Sequence, residues 1–281
     1  MMTEATFNTF THAVVCAPGG DFAADVSPDA YRPDPEATLA QYQKYCAALK
    51  KCGVSVLALE ADPLFPHGCF ISDMALITEY LAVIGNFSDN NPRQGEQKNI
   101  AAALTGGKFL KFITAPGRLD CSDVLQVSGH FYVSLSDHTN EEGVAQLSFF
   151  LREYGYAVTV LDQSGDNFVR LSRAATYLGA GLLLVREELA RHFSFLEYEK
   201  IIVPHKERGA TNALMVNGTL LLPAGHAEIL RELKLRGIPV IEVDVSEFEK
   251  TGGGLGGLSL RLPKAANNKN IALSASNQSA A

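Results

Sequence analysis

The chemically suggestive residues are most concentrated near the C-terminus, in TGGGLGGLSLRLP at 251–263. Five glycines in the six positions 252–257 precede an alternating stretch, 258–262, that reads as a strand. Such a run is either a flexible lead into the strand or a place where backbone passes close to another group. It is not a phosphate loop, because it enters a strand rather than opening a helix. Elsewhere the chain offers carboxylates at Asp73, Asp120 and Asp123, thiols at Cys69 and Cys121, and imidazoles at His67 and His138. A metal centre drawn from His67, Asp73, Asp120 and His138 has no HxH, HxxxH or HExxH spacing behind it. A thiol attacks only where its pKa is lowered and it lies on the line of attack.

These residues need a scaffold, and 281 residues with 47% hydrophobic content can build one large domain or two small ones. A net charge of −7 and a pI near 5.5 argue against a nucleic-acid surface. No apolar run reaches membrane-spanning length, and MMTEATFNTF lacks the basic and apolar regions of a signal peptide. Five cysteines without a CxxC pair suit reduced thiols in a cytoplasmic compartment better than a disulfide framework.

Along the chain, THAVVCA (11–17) reads as a strand, residues 35–51 as a helix closed by Gly53, and VSVLAL (54–59) as a second strand. MALITEY and LAVIGNF follow as two strands, then a helix over 92–104 and a strand over 108–114. The order returns as a hairpin around Ser128 and Gly129, a helix over 139–154 and a strand over 157–161. Thr139 as N-cap and Glu142 form a capping-box pattern for that helix. It returns again through ATYLGAGLLLV and KIIVP, and once more through NALMVNGTLLLP, a helix over 226–236 and IPVIEVD. SLRL and the opening HAVVCA complete a fifth unit. Hairpin–helix–strand units of this kind bury their faces by packing on one another. Residues 8–263 therefore form a single α/β domain, and the polar stretch 264–281 is expected to be a mobile tail.

Several stretches resemble one family closely: FPHGCFISD, NPRQGE, LDCSDVL, HFYVSLSDHTNEEG, NALMVNGTLLLPAG and VIEVDVSEFEKTGGG. They are similar to the dimethylarginine dimethylaminohydrolases of the guanidino-modifying, or pentein, superfamily. The likeness runs from about residue 10 to residue 263. It implies a five-bladed α/β propeller of pseudo-fivefold symmetry with its active site in the central channel. It also implies a lid over the substrate, which the Gly- and Pro-rich 19–35 would supply, and no cofactor.

Carried over position by position, the resemblance implies a damaged site. The family's nucleophilic cysteine corresponds to Gly257, and its acid/base histidine, in NFVRLSR, to Arg170. A guanidinium does not shuttle protons near neutral pH. Asp120 matches the acid that supports the histidine, and is expected either to offset a bound cation or to pair with Arg170. Asp123 matches an aspartate that organises the turn. Two carboxylate positions in FPHGCFISD hold His67 and Ser72, while Asp73 is kept. Arg93 matches an arginine for the substrate's carboxylate, His138 replaces a second, and Asn212 matches an asparagine motif. The expected function is non-hydrolytic binding of a small molecule, such as an amino acid or its derivative, in the channel. The alternatives are a true hydrolase, with Gly257 engineered or the nucleophile moved to Cys69 or Cys121, and an interaction protein with a vestigial channel. Neither nucleic acid nor membrane is an expected partner, and a homodimer stays open.

Overall fold

A computed structural model describes residues 9–20, 22, 32–105, 110–161, 170–264 and 272–273. Strand β1 (Phe10–Cys16) leads to helix α1 (Pro35–Lys51) and strand β2 (Ser55–Leu59). Helix α1 starts where the Asp34 carboxylate accepts a hydrogen bond from the Ala37 amide at 2.7 Å, with a proline at the first position. It stops where Gly53 turns left-handed, at φ 79°.

Four more units follow. Strands β3 (Ala75–Ile77) and β4 (Ala82–Ile84) lead through α2 (Gln97–Ala103) and the two-residue β5 (Leu104–Thr105) to β6 (Leu110–Phe112). Hairpin β7 (Val124–Val127) and β8 (His130–Ser134) leads through α3 (Glu141–Arg152) to β9 (Ala157–Leu161). After α4 (Leu171–Ala174) come β10 (Ala175–Gly179), β11 (Leu182–Arg186), α5 (Glu187–Ala190) and β12 (Glu199–Val203). Then come β13 (Leu214–Val216), β14 (Thr219–Pro223), α6 (Ala227–Leu235) and β15 (Val240–Val243). A short α7 (Ser246–Glu249) precedes β16 (Ser259–Pro263).

Each unit is a three-stranded sheet with an antiparallel inner pair and a parallel outer pair. The fifth sheet joins the two ends of the domain: β16 runs antiparallel to β1, and β1 parallel to β2. Alternation along β1 explains the closure. Val14 packs with Ile71, Ile84 and Leu260 toward the β3 sheet, while Ala13 and Val15 pack with Tyr45, Leu214 and Leu221 toward the β13 sheet. The middle strands are buried on both faces, which is why they read as unbroken apolar runs. The inner strands β3, β7, β10, β13 and β16 line a cavity of 200 Å³ on the propeller axis.

Two readings need correction. The N-cap of α3 is Asn140, whose side chain accepts from the Gly143 amide at 2.9 Å. Thr139 serves the site instead: its hydroxyl donates to Asp123 Oδ2 at 2.8 Å and accepts from the Asp120 amide at 3.0 Å. The helix expected from residue 92 begins only at Gln97, and in the preceding turns Arg93 reaches Asp73 while Glu96 pairs with Arg93. The tail 264–281 and the lid 19–35 fall largely outside the described residues. Within the tail, β17 (Ala272–Leu273) pairs antiparallel with β5.

Candidate active site

A helical turn stands just before each inner strand. These turns are Ile71–Asp73, Cys121–Asp123, α4, His205–Asn212 and Leu255–Leu258. The repeat therefore brings Asp73, Asp120, Arg170, Asn212 and Gly257 to one end of the axis from five separate sheets. Bonds between the turns show the convergence. Ser72 Oγ donates to the Gly256 carbonyl at 3.2 Å, and the Gly256 amide donates to Asn212 Oδ1 at 2.9 Å. Arg170 Nη1 donates to Asp120 Oδ2 and to Ser122 Oγ.

Charge is packed densely here. Burial opposes ionisation of Asp120, but Arg170 and the Ser122 amide, which donates to its Oδ1 at 2.9 Å, hold its carboxyl below the usual value. Burial works against the Arg170 cation too, and Asp120 more than restores it. Asp73 stays above its usual value because burial outweighs Arg93. Arg93 turns its fork inward: Nη1 on Asp73 at 2.7 Å, Nε and Nη2 on Glu96 at 2.7 and 2.8 Å, and Nη2 also on the Phe70 carbonyl at 3.0 Å. An arginine expected to meet a ligand's carboxylate is thus already paired with two protein carboxylates.

Three residues of the cluster escaped sequence reasoning. Glu96 ends the NPRQGE stretch, and its buried carboxylate fixes Arg93. Ser122 shares Arg170 with Asp120. Arg173 lies one helical turn after Arg170, with Nη1 beside Gly252, 3.7 Å from where a Cβ there would stand. Burial lowers its pKa, with Asp73 as the main opposing influence. Among the described residues no carboxylate reaches ion-pair distance of it. The helical spacing between Arg170 and Arg173 was the only signal that could have found it.

The glycine run makes a close approach. A Cβ on Gly253 would stand 1.9 Å from Phe70 Cζ, and one on Gly254 would stand 1.8 Å from Asn212 Nδ2. At Gly257 a Cβ would meet Phe70 Cδ1 at 3.1 Å, so a side chain there requires the ring to yield slightly. His67 stacks on Phe70 with ring centres 6.3 Å apart and faces Phe22 edge-on. His138 is half-buried, its amide held by Ser136 Oγ at 2.9 Å. Cys69 and Cys121 are buried, and burial pushes both thiols well above their ordinary value. They lie in separate core clusters.

Five sheets closed around an axis, with charged turns gathered at one end, define a pentein-type α/β propeller. The comparisons give the family. The chain is 32% identical over 233 residues to the N(G),N(G)-dimethylarginine dimethylaminohydrolase of Pseudomonas aeruginosa, covering 82% of this chain and 90% of that one. It is 31% identical over 232 residues to an uncharacterized protein of Aeropyrum pernix, covering 80% and 84%. A crystal structure of a cysteine-to-serine mutant of the P. aeruginosa enzyme, complexed with citrulline, superposes with a TM-score of 0.85 at 29% identity, over 90% of this chain and all of that one. The N-terminal domain of the cyanobacterial arginine dihydrolase ArgZ shares the fold, at TM-score 0.73 and 19% identity over 89% of this chain and 97% of that one. No protein-family model matches. The chain belongs to the dimethylarginine dimethylaminohydrolase family.

Proposed function

We propose that this member of the family binds a small amino-acid ligand at the end of the propeller axis without hydrolysing it. The pairing of Arg170 with Asp120 and Ser122 carries the reading. Arg170 stands where the family resemblance puts a proton-shuttling histidine, and a tethered guanidinium neither gives nor takes a proton near neutral pH. Gly257 stands where the resemblance puts the nucleophile and has no side chain to attack with. Cys69 and Cys121 are poor substitutes, since their buried thiols resist ionisation. Citrulline in the P. aeruginosa complex indicates the ligand class. Arg93 and Arg170 are paired with protein carboxylates, so among the described residues of the cluster Arg173 is the cation left to receive a ligand's carboxylate or carbonyl. A second guanidinium about 4 Å from it would meet repulsion of about 4 kcal/mol at an effective dielectric of 20. The pocket therefore favours a neutral or anionic group there.

Purified protein is expected to release no citrulline from dimethylarginine, arginine or agmatine, and Gly257→Cys alone is not expected to restore release. By calorimetric titration citrulline should bind more tightly than arginine, and Arg173→Gln should weaken citrulline roughly tenfold, as loss of one charged hydrogen bond would. Turnover that vanishes in Cys69→Ser or Cys121→Ser would make that cysteine the nucleophile and overturn the proposal. Tighter binding of arginine than citrulline would overturn the charge argument.

A further inference from the structure

The axial cavity lies beneath the candidate site and is lined at that end by Ser72, Cys121 and Gly256 of the turns that carry it. It spans the length of the inner strands, from Ser72 and Gly256 at the site-bearing turns to Glu79 and Ser128 at the hairpin turns. Arg261, in the middle of β16, lines it. Nη1 of Arg261 donates to the Ser259 carbonyl at 3.0 Å and the Ser259 hydroxyl at 3.2 Å, both within its own strand. The guanidinium carbon lies 5.8 Å from the centre of the Phe10 ring. No carboxylate among the described residues comes within ion-pair distance.

Among the described residues no other group neutralises this cation. Glu79 lines the same cavity, but its own carboxyl is perturbed by burial alone, with no contribution from Arg261. The ionisable neighbour that Arg261 does sense is Tyr45. Burial pushes that phenol up to about 12, and it is hydrogen-bonded to the Ser259 hydroxyl at 2.6 Å. It is neutral at physiological pH. A guanidinium keeps its charge, and the half-buried Arg261 has no counter-charge among the described residues. Stacking on Phe10 contributes only about 0.5–1 kcal/mol at ordinary sites. An anion in the cavity would supply the missing charge.

The dimensions and lining select the kind of anion. A volume of 200 Å³ holds roughly six waters at about 30 Å³ each, the bulk of a short-chain acid. Its lining includes the apolar Leu125, Met215 and Leu260 and the polar Gln126 and Thr176. We propose that the axial cavity is a second binding site, for a small aliphatic carboxylate whose charged end lies on Arg261 and whose carbon chain lies among Leu125, Met215 and Leu260. The site is independent of whatever the Arg173 end of the axis binds.

The test uses the full chain and sodium butyrate as probe, against sodium chloride at equal ionic strength and against butyramide, the uncharged isostere. Butyrate should raise the thermal midpoint saturably by several degrees, as a ligand of the native state does, and butyramide should not. Arg261→Met should abolish the rise and Arg173→Gln should leave it. Should Arg261→Met not fold, Arg261→Lys, which keeps the charge but loses the fork, should weaken butyrate roughly tenfold, and a crystal structure with butyrate should show it beside residue 261. The proposal fails if butyrate gives no rise or only the rise of butyramide. It fails equally if the rise survives Arg261→Met, is lost in Arg173→Gln, or is accompanied by butyrate elsewhere than the axial cavity.

Discussion

Asp123 is fully buried, and among the described residues only one of its carboxylate oxygens has partners: Oδ2 accepts from Ser136 Oγ at 2.6 Å and Thr139 Oγ1 at 2.8 Å, while Oδ1 has none. Burial, and then Asp120, push its carboxyl up to about 6. An unfolded aspartate titrates near about 3.9. Between roughly pH 4 and 6 the native state therefore holds more protons than the unfolded chain, and stability falls as pH rises. A two-unit difference corresponds to about 3 kcal/mol. In Asp123→Asn the amide oxygen can still accept from both hydroxyls, and nothing ionises. Relative to wild type, the variant should gain stability from pH 4 to pH 7 by an amount of that order, read by urea unfolding at each pH. A stability difference that stays flat across this range would mean that Asp123 titrates normally.

The turns that enter the inner strands hold the site, and the glycine turn is the most closely packed of them. Phe70 belongs to the turn of one sheet and Gly253 to the approach of another, and between them there is no room for a methyl group. Gly253→Ala has to displace a buried ring, an overpacking that costs about 1–3 kcal/mol. Phe70→Ala is costly by itself, since truncating a buried phenylalanine costs about 3–5 kcal/mol. In the Phe70→Ala background, however, the space for the alanine exists. A double-mutant cycle on denaturant midpoints should show that Gly253→Ala costs much less there than in wild type. Additive costs would mean that the glycine is needed for its backbone and not for the approach of Phe70.

Closure of the ring makes the molecule one cooperative unit. β1 is the middle strand of a sheet whose inner strand, β16, arrives from the other end of the domain. Ending the chain at residue 257 would strip β1 of that partner and expose Val14 and Ile71, which Leu260 and Leu262 help to cover. Such a truncation should lose the cooperative unfolding transition, followed by circular dichroism in urea. A sharp transition near the full-length midpoint would show that four sheets suffice.

The sequence by itself determined the order of elements and the architecture. Unbroken apolar runs marked the middle strands, and Pro35 and Gly53 marked the ends of α1, while FPHGCFISD and LDCSDVL pointed to the site only through their resemblance to the family. These signals are local: caps, turns and period depend on residues a few positions apart. The tertiary structure alone decided which charges are spent. Asp120 had two open roles, and ring closure, by setting its turn beside Arg170, fixed the ion pair. Arg93 carried the motif of a ligand-binding arginine, yet Asp73 and Glu96 occupy its fork. Arg173 and Arg261 resemble any other arginine in sequence, and it is their positions, beside Gly252 and along the axial cavity, that set them apart. Pairing of charge depends on distances between segments far apart in the chain, and those distances exist only once the five sheets have closed around their axis.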